Sequence, residues 1–248
     1  MKSLLAVIDG LSFEASQLDP IQYIARITKG KVTIALLYQR QEHIRENTEN
    51  LRTACQDRKM DIALNTYTEN MLEELLHASR FADLMLVSHG LIISADPAAS
   101  SSQFIHELLI RAQCPILIMP AEMQVVKEVS FAYNGSYSSM YAIRSFIQVL
   151  LPFASRKVTV MYVNDTSKES IPDELLLRRY LELYCPKVEY RILSGDASKS
   201  LKVCLQFKKH SLVTFGAYGR SGLSRYFNES TAEDALDLMQ TWVFVTHP

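Results

Sequence analysis

The chain repeats itself, and that repetition constrains its fold more than any other feature. Lys31-Val-Thr-Ile-Ala-Leu-Leu returns as Lys157-Val-Thr-Val-Met-Tyr-Val163, and the turn pair Asp9-Gly10 returns as Asn134-Gly135. Gly90 and Gly219, and the strand starts at Pro115 and Trp242, keep nearly the same displacement, about 125 to 129 residues at all four landmarks. So steady a displacement marks a tandem duplication. Two similar domains are expected, 1–121 and 126–248, joined near Ala121 to Val126.

Within each copy, short apolar runs alternate with helical patterns. Residues 2–8 form a buried strand that stops at Asp9-Gly10. Asp19 is the expected N-cap of a helix with Pro20 at its first position, ending at Lys29-Gly30. Strands follow at 31–38, 61–67 (polar, at an edge), 83–88 and 115–120, with helices at 42–59, 69–77 and 101–112. In the second copy the strands are expected at 129–133, 157–163, 188–193, 212–215 and 242–246. Alternation of this kind predicts an α/β fold: two doubly wound, mostly parallel five-stranded sheets flanked by helices. In such sheets a ligand sits beyond the carboxyl ends of the strands where strand order reverses. Asp9/Asn134 and Gly90/Gly216 would flank that crevice in the two copies.

Composition narrows the functional classes. Lys+Arg 26 against Asp+Glu 27 leaves a formal charge of −1, with no overall basic field for nucleic acid or an anionic membrane. No apolar run approaches the roughly 20 residues of a membrane helix, and Asp9 comes too soon for a signal peptide. Cys55, Cys114, Cys185 and Cys204 form no Cys-x-x-Cys pair, which predicts reduced thiols in a cytoplasmic protein. His89 has no second ligand at metal spacing, so no metal site is expected. No P-loop, pyrophosphatase loop or arguable catalytic triad is present, so no catalytic residue is assigned. The expectation is a non-enzyme, with slow ATP hydrolysis left open.

The stretch from Val213 to Glu233 carries the ligand chemistry. A short apolar strand breaks into Gly216, Gly219 and Gly222, passes Arg220 and Arg225, and reaches Ser230-Thr231-Ala-Glu233, a helix start. Strand, glycine turn and helix N-terminus together make a phosphate cradle.

With the duplication, these residues give the chain a resemblance to tandem universal stress proteins over essentially its whole length. The typical half of that family begins with a strand ending in Asp-Gly-Ser. Its fourth strand leads into Gly-x-x-Gly, nine residues, then Gly-Ser or Gly-Thr, and it closes with Cys-Pro and an apolar strand. Gly216-Ala-Tyr-Gly219 matches Gly-x-x-Gly, Ser230 falls in register, and Cys114-Pro115 matches in the first copy. Two positions depart from the pattern: Asn134 replaces the aspartate beside the base, and Glu229 replaces the third glycine. In the first copy Val87-Ser-His-Gly90 keeps one glycine and Asp96-Pro97 enters the loop, so that copy is expected to be structural.

The resemblance implies an adenine nucleotide alpha hydrolase-like fold whose fifth strands, 116–119 and 243–246, pair as an intramolecular pseudo-dimer, with a further homodimer open. It implies a stress-response sensor or regulator that binds ATP or a related adenine nucleotide, with magnesium accompanying it. Gly216, Gly219, Ser230 and Thr231 would hold phosphates, and Asn134 and Val163 would position the base. The alternative is a nucleotide-free interaction module in which Glu229 closes the site. On either reading the protein partner is unknown.

Overall fold

The continuous apolar runs become strands buried on both faces. In the computed structural model, which describes residues 1–38, 43–88, 91, 101–120, 122–164, 170–194, 210–216 and 241–248, the chain divides into two compact units, Met1–Met123 and Gln124–Pro248. The first has strands β1 (Ser3–Asp9), β2 (Lys31–Leu37), β3 (Ile62–Tyr67), β4 (Leu84–Val87) and β5 (Ile116–Ile118). Between them lie helices α1 (Leu18–Thr28), α2 (Ile44–Asp57), α3 (Met71–Ser79) and α4 (Ser101–Arg111). Strand order is β3-β2-β1-β4-β5, and every described pairing in the unit is parallel. The chain winds outward from β1 to β3, then returns to the other side of β1, so strand order reverses between β1 and β4. Leu4, Ala6, Val7 and Ile8 of the central strand are fully buried, as a strand covered on both faces must be. At the edge, β3 alternates half-buried and exposed residues.

The second unit repeats the plan. Its strands are β6 (Glu128–Tyr133), β7 (Lys157–Asn164), β8 (Val188–Ser194), β9 (Ser211–Gly216) and β10 (Trp242–Thr246). The order β10-β9-β6-β7-β8 is again parallel in every described pair. Helices α5 (Tyr137–Leu150) and α6 (Glu174–Glu182) are described. Ala142, Ile143, Phe146, Ile147 and Leu150 recur at helical spacing and are buried. Phe146 meets Phe131 of β6 and Phe244 of β10 edge-on, with ring centroids 5.3 and 5.7 Å away, which fixes α5 over the centre of its sheet. Trp242 is fully buried and its Nε1–H donates to the Gln124 carbonyl at 2.9 Å.

Two helix boundaries in the first unit differ from the local sequence signals. Asp19 does not cap α1. A 3-10 turn at Ala15–Gln17 runs straight into the helix, so Asp19 lies in the first helical turn and its Oδ1 accepts from Arg58 Nε at 2.8 Å. Pro20 remains within that turn, where backbone N–H groups have no helical partner to lose. At the other end Lys29, not Gly30, takes the left-handed conformation, with φ 52°. Gly30 is needed for close packing instead, since a Cβ there would come within 2.7 Å of the Leu4 side chain. Among the described residues no helix is long and apolar enough to cross a membrane.

Candidate functional site

In the second unit the order reverses between β6 and β9, and three of the expected binding residues reach that end of the sheet. Phe131 pairs with Thr214, so β6 and β9 run out side by side toward Asn134 and Gly216. Tyr133 pairs with Tyr162 of β7, which puts Val163 level with Asn134, and Val163 itself pairs with Leu193. Asn134, Val163 and Gly216 therefore share one end of three adjacent strands. Gly219, Ser230 and Thr231 lie outside the described residues, as do Glu229, Arg220, Arg225, His89 and Gly90.

The turn after β6 is built by short-range hydrogen bonds. Asn134 Oδ1 accepts from the Ser136 N–H at 3.0 Å, an Asx turn, and Gly135 takes φ 78° within it. Ser136 Oγ then accepts from the Ser139 N–H at 3.2 Å and caps α5, which starts one residue later. Asn134 is exposed, and with its oxygen accepting in the turn its NH2 is the group left to donate. Helix α5 begins three residues later.

Asp9 makes the same turn in the first unit: Oδ1 accepts from the Leu11 N–H at 3.0 Å and Oδ2 from Ser12 Oγ at 2.8 Å. There the helix starts only at Leu18, so no helix N-terminus stands at the strand end.

What covers each glycine distinguishes the two ends further. A Cβ on Gly10 would lie 2.5 Å from the Tyr38 ring. That ring is fully buried, and its hydroxyl lies 3.2 Å from the Ile44 carbonyl and 3.3 Å from Thr48 Oγ1. Asn47 Nδ2 also donates to the Gly10 carbonyl at 2.8 Å. Burial, above all, pushes the Tyr38 hydroxyl pKa up. The first unit has thus filled the space over its strand-one turn with its own side chain.

In the second unit, Pro172 stands over Gly135, 2.7 Å from a Cβ placed there, and its carbonyl accepts from the Tyr133 hydroxyl at 3.2 Å. Burial raises the Tyr133 pKa, and the nearby Asp173 carboxylate adds to the shift. Gly216 is covered by α5: a Cβ would meet the Ser138 carbonyl, with its carbon at 2.5 Å. The missing side chain at Gly216 therefore lets α5 approach the end of β9 closely.

Ser136, Ser139 and Tyr137 were not singled out from sequence. Tyr137 is exposed at the start of α5, with its ring 6.0 Å from that of Tyr141. The signal was present: a serine with a second serine three residues on, just before a helical apolar run. Among the described residues no cluster of histidine, cysteine, aspartate and glutamate could hold a metal ion.

Comparison with solved structures places this architecture. A universal stress protein from Archaeoglobus fulgidus DSM 4304 superposes with a TM-score of 0.66 over 99% of this chain and 96% of its own, at 14% identity. A putative universal stress protein from Pseudomonas aeruginosa UCBPP-PA14 gives 0.61 over 100% and 94%, at 16% identity. The chain has a universal stress protein fold. A universal stress protein in complex with cAMP covers 48% of this chain and 95% of its own at 18% identity, with a TM-score of 0.36 that is too low to bear on the site. Neither the family models nor the curated proteins match the sequence. At these identities the likeness concerns the fold, and the site must be argued from its own residues.

Proposed function

We propose that the chain is a tandem universal stress protein, a cytoplasmic stress-response module that binds ATP or a related adenine nucleotide in its second half. The observation that carries this reading is the turn after β6, where an exposed Asn134 precedes a serine-capped helix N-terminus at the reversal of strand order. Asn134 would donate to the adenine edge, the backbone at Val163 would meet the base, and Gly216, Gly219, Ser230 and Thr231 would form the phosphate side. Tyr38 over Gly10 supports a structural role for the first half. Pairing of the two fifth strands would complete the pseudo-dimer, and nucleotide occupancy would alter its affinity for a protein partner. On this reading the nucleotide would act as a signal rather than a substrate.

A second reading, a nucleotide-free interaction module, is favoured by Pro172 over Gly135 and Ser138 against Gly216, because the protein fills both spaces itself. Calorimetry with ATP and magnesium separates the two readings. Binding that Asn134→Ala weakens supports the first; no binding at millimolar ATP, with binding created by Glu229→Gly, establishes the second.

A further inference from the structure

The first unit has a cavity of about 400 Å3 at the end of its strands opposite Asp9 and Tyr38, where α1 and α2 finish and β2 and β3 begin. Arg26, Lys29, Lys31, Arg58 and Lys59 line it, with Asp61 as the acidic residue among those described. Arg58 is committed, donating from Nε to Asp19 Oδ1 at 2.8 Å and from Nη1 to the Ala54 carbonyl at 3.3 Å. Among the described residues no ion pair engages the other four cations.

Cations near helix C-termini commonly offset the helix dipole, and two such ends meet here. Each end is equivalent to about half a negative charge, so the two ends and Asp61 offset about two of the four free cations. A surplus of about two positive charges remains within one small cavity, on a chain whose formal charge is −1.

Two of these cations stand at backbone positions where another residue is usual. Lys29 and Lys59 both adopt left-handed conformations, φ 52° and 53°, where glycine or asparagine is the usual occupant. Both side chains are exposed, so packing does not account for a lysine at either position. Gln22 Nε2 donates to the Arg58 carbonyl at 2.7 Å and ties α1 to the end of α2, which fixes the two rims.

We propose that this cavity binds a small polyanion of linked phosphates. The chemistry is shared by inorganic polyphosphate and by the phosphate tail of a nucleotide. The site is separate from the crevice at Asn134.

Calorimetry of the full chain with inorganic tripolyphosphate tests the proposal. Wild type should bind at low ionic strength and lose affinity as salt screens the cavity. Lys29→Asn with Lys59→Asn removes two charges while keeping a residue suited to the left-handed conformation, so the fold should hold while affinity falls at least about tenfold. Arg26→Gln with Lys31→Gln should do the same from the other rim. Lys127→Gln with Lys187→Gln, in the second unit, should leave binding unchanged.

A competition arm with ATP identifies the source. Displacement of tripolyphosphate from wild type by ATP indicates that the cavity takes a nucleotide tail; lack of displacement indicates free polyphosphate. Absence of tripolyphosphate binding to wild type, or affinity unchanged in both cavity variants, overturns the proposal. Loss of binding in Asn134→Ala alone would assign the anion to the crevice and overturn it as well.

Discussion

Replacing Gly216 with alanine separates a glycine required by packing from one kept open for phosphate. No positive φ is recorded at Gly216, so alanine is not excluded by backbone conformation, and removing a glycine favours folding by about 0.4–1 kcal/mol through the unfolded chain. The steric effect has the opposite sign and is larger. The new methyl would sit 2.5 Å from the Ser138 carbonyl carbon and 2.9 Å from Ser138 Cβ, about 1 Å inside ordinary van der Waals contact. Most of that clash is with backbone, so no rotamer change relieves it and the first turn of α5 must move. Overpacking of this kind costs about 1–3 kcal/mol, and the middle of the two ranges leaves a net loss of about 1.3 kcal/mol. Trp242, the single tryptophan, is fully buried on β10, and β10 pairs directly with β9. Its fluorescence therefore reports unfolding of the second unit. In urea the midpoint should fall by about 0.5–1 M at an unchanged slope. A variant as stable as wild type, or more stable, would refute the packing role and leave ligand approach as the reason for the glycine.

Other perturbations test neighbouring parts of the structure. Ser136→Ala removes the cap of α5 and should cost about 1 kcal/mol by the same fluorescence assay, whereas Ser136→Asp, which restores an acceptor, should recover most of it. Burial raises the Cys114 thiol from its ordinary 9.0 to about 12 and the Cys185 thiol to about 11. Both favour the neutral form in the folded state. Their contribution is complete below about pH 9 and is lost as pH rises through 11 and 12, so urea midpoints should hold from neutrality to about pH 9 and then fall. Near pH 8 the Cys114 thiol should react with a thiol reagent only after denaturation. A midpoint that rises above pH 9 would contradict the sign.

Several features of the fold were legible because they depend on near neighbours. Continuous apolar runs such as Leu4–Ile8, and the polar alternation of β3, identify central and edge strands by period alone. The strand-end turns follow from Asp9 and Asn134, whose side chains bond the backbone two residues on. The start of α1 was not legible. Asp19-Pro20 carries a local capping signal, but its carboxylate is drawn to Arg58, 39 residues away, and the helix begins before it. The α5 cap is legible in Ser136, a serine three residues before Ser139 at the head of an apolar helical run.

The sequence by itself determined the alternation of strands and helices and the chemistry of the strand-end turns, since these depend on spacing within a few residues. Only the tertiary structure decided what occupies the space at each glycine. Tyr38 over Gly10, Pro172 over Gly135 and Ser138 against Gly216 are contacts between segments 28 to 78 positions apart. Each depends on how helices and loops pack over the strand ends, and no local pattern records it. The gathering of Lys29 and Lys59 at one cavity has the same origin, because two helix ends distant in sequence meet only when α1 and α2 pack beside each other.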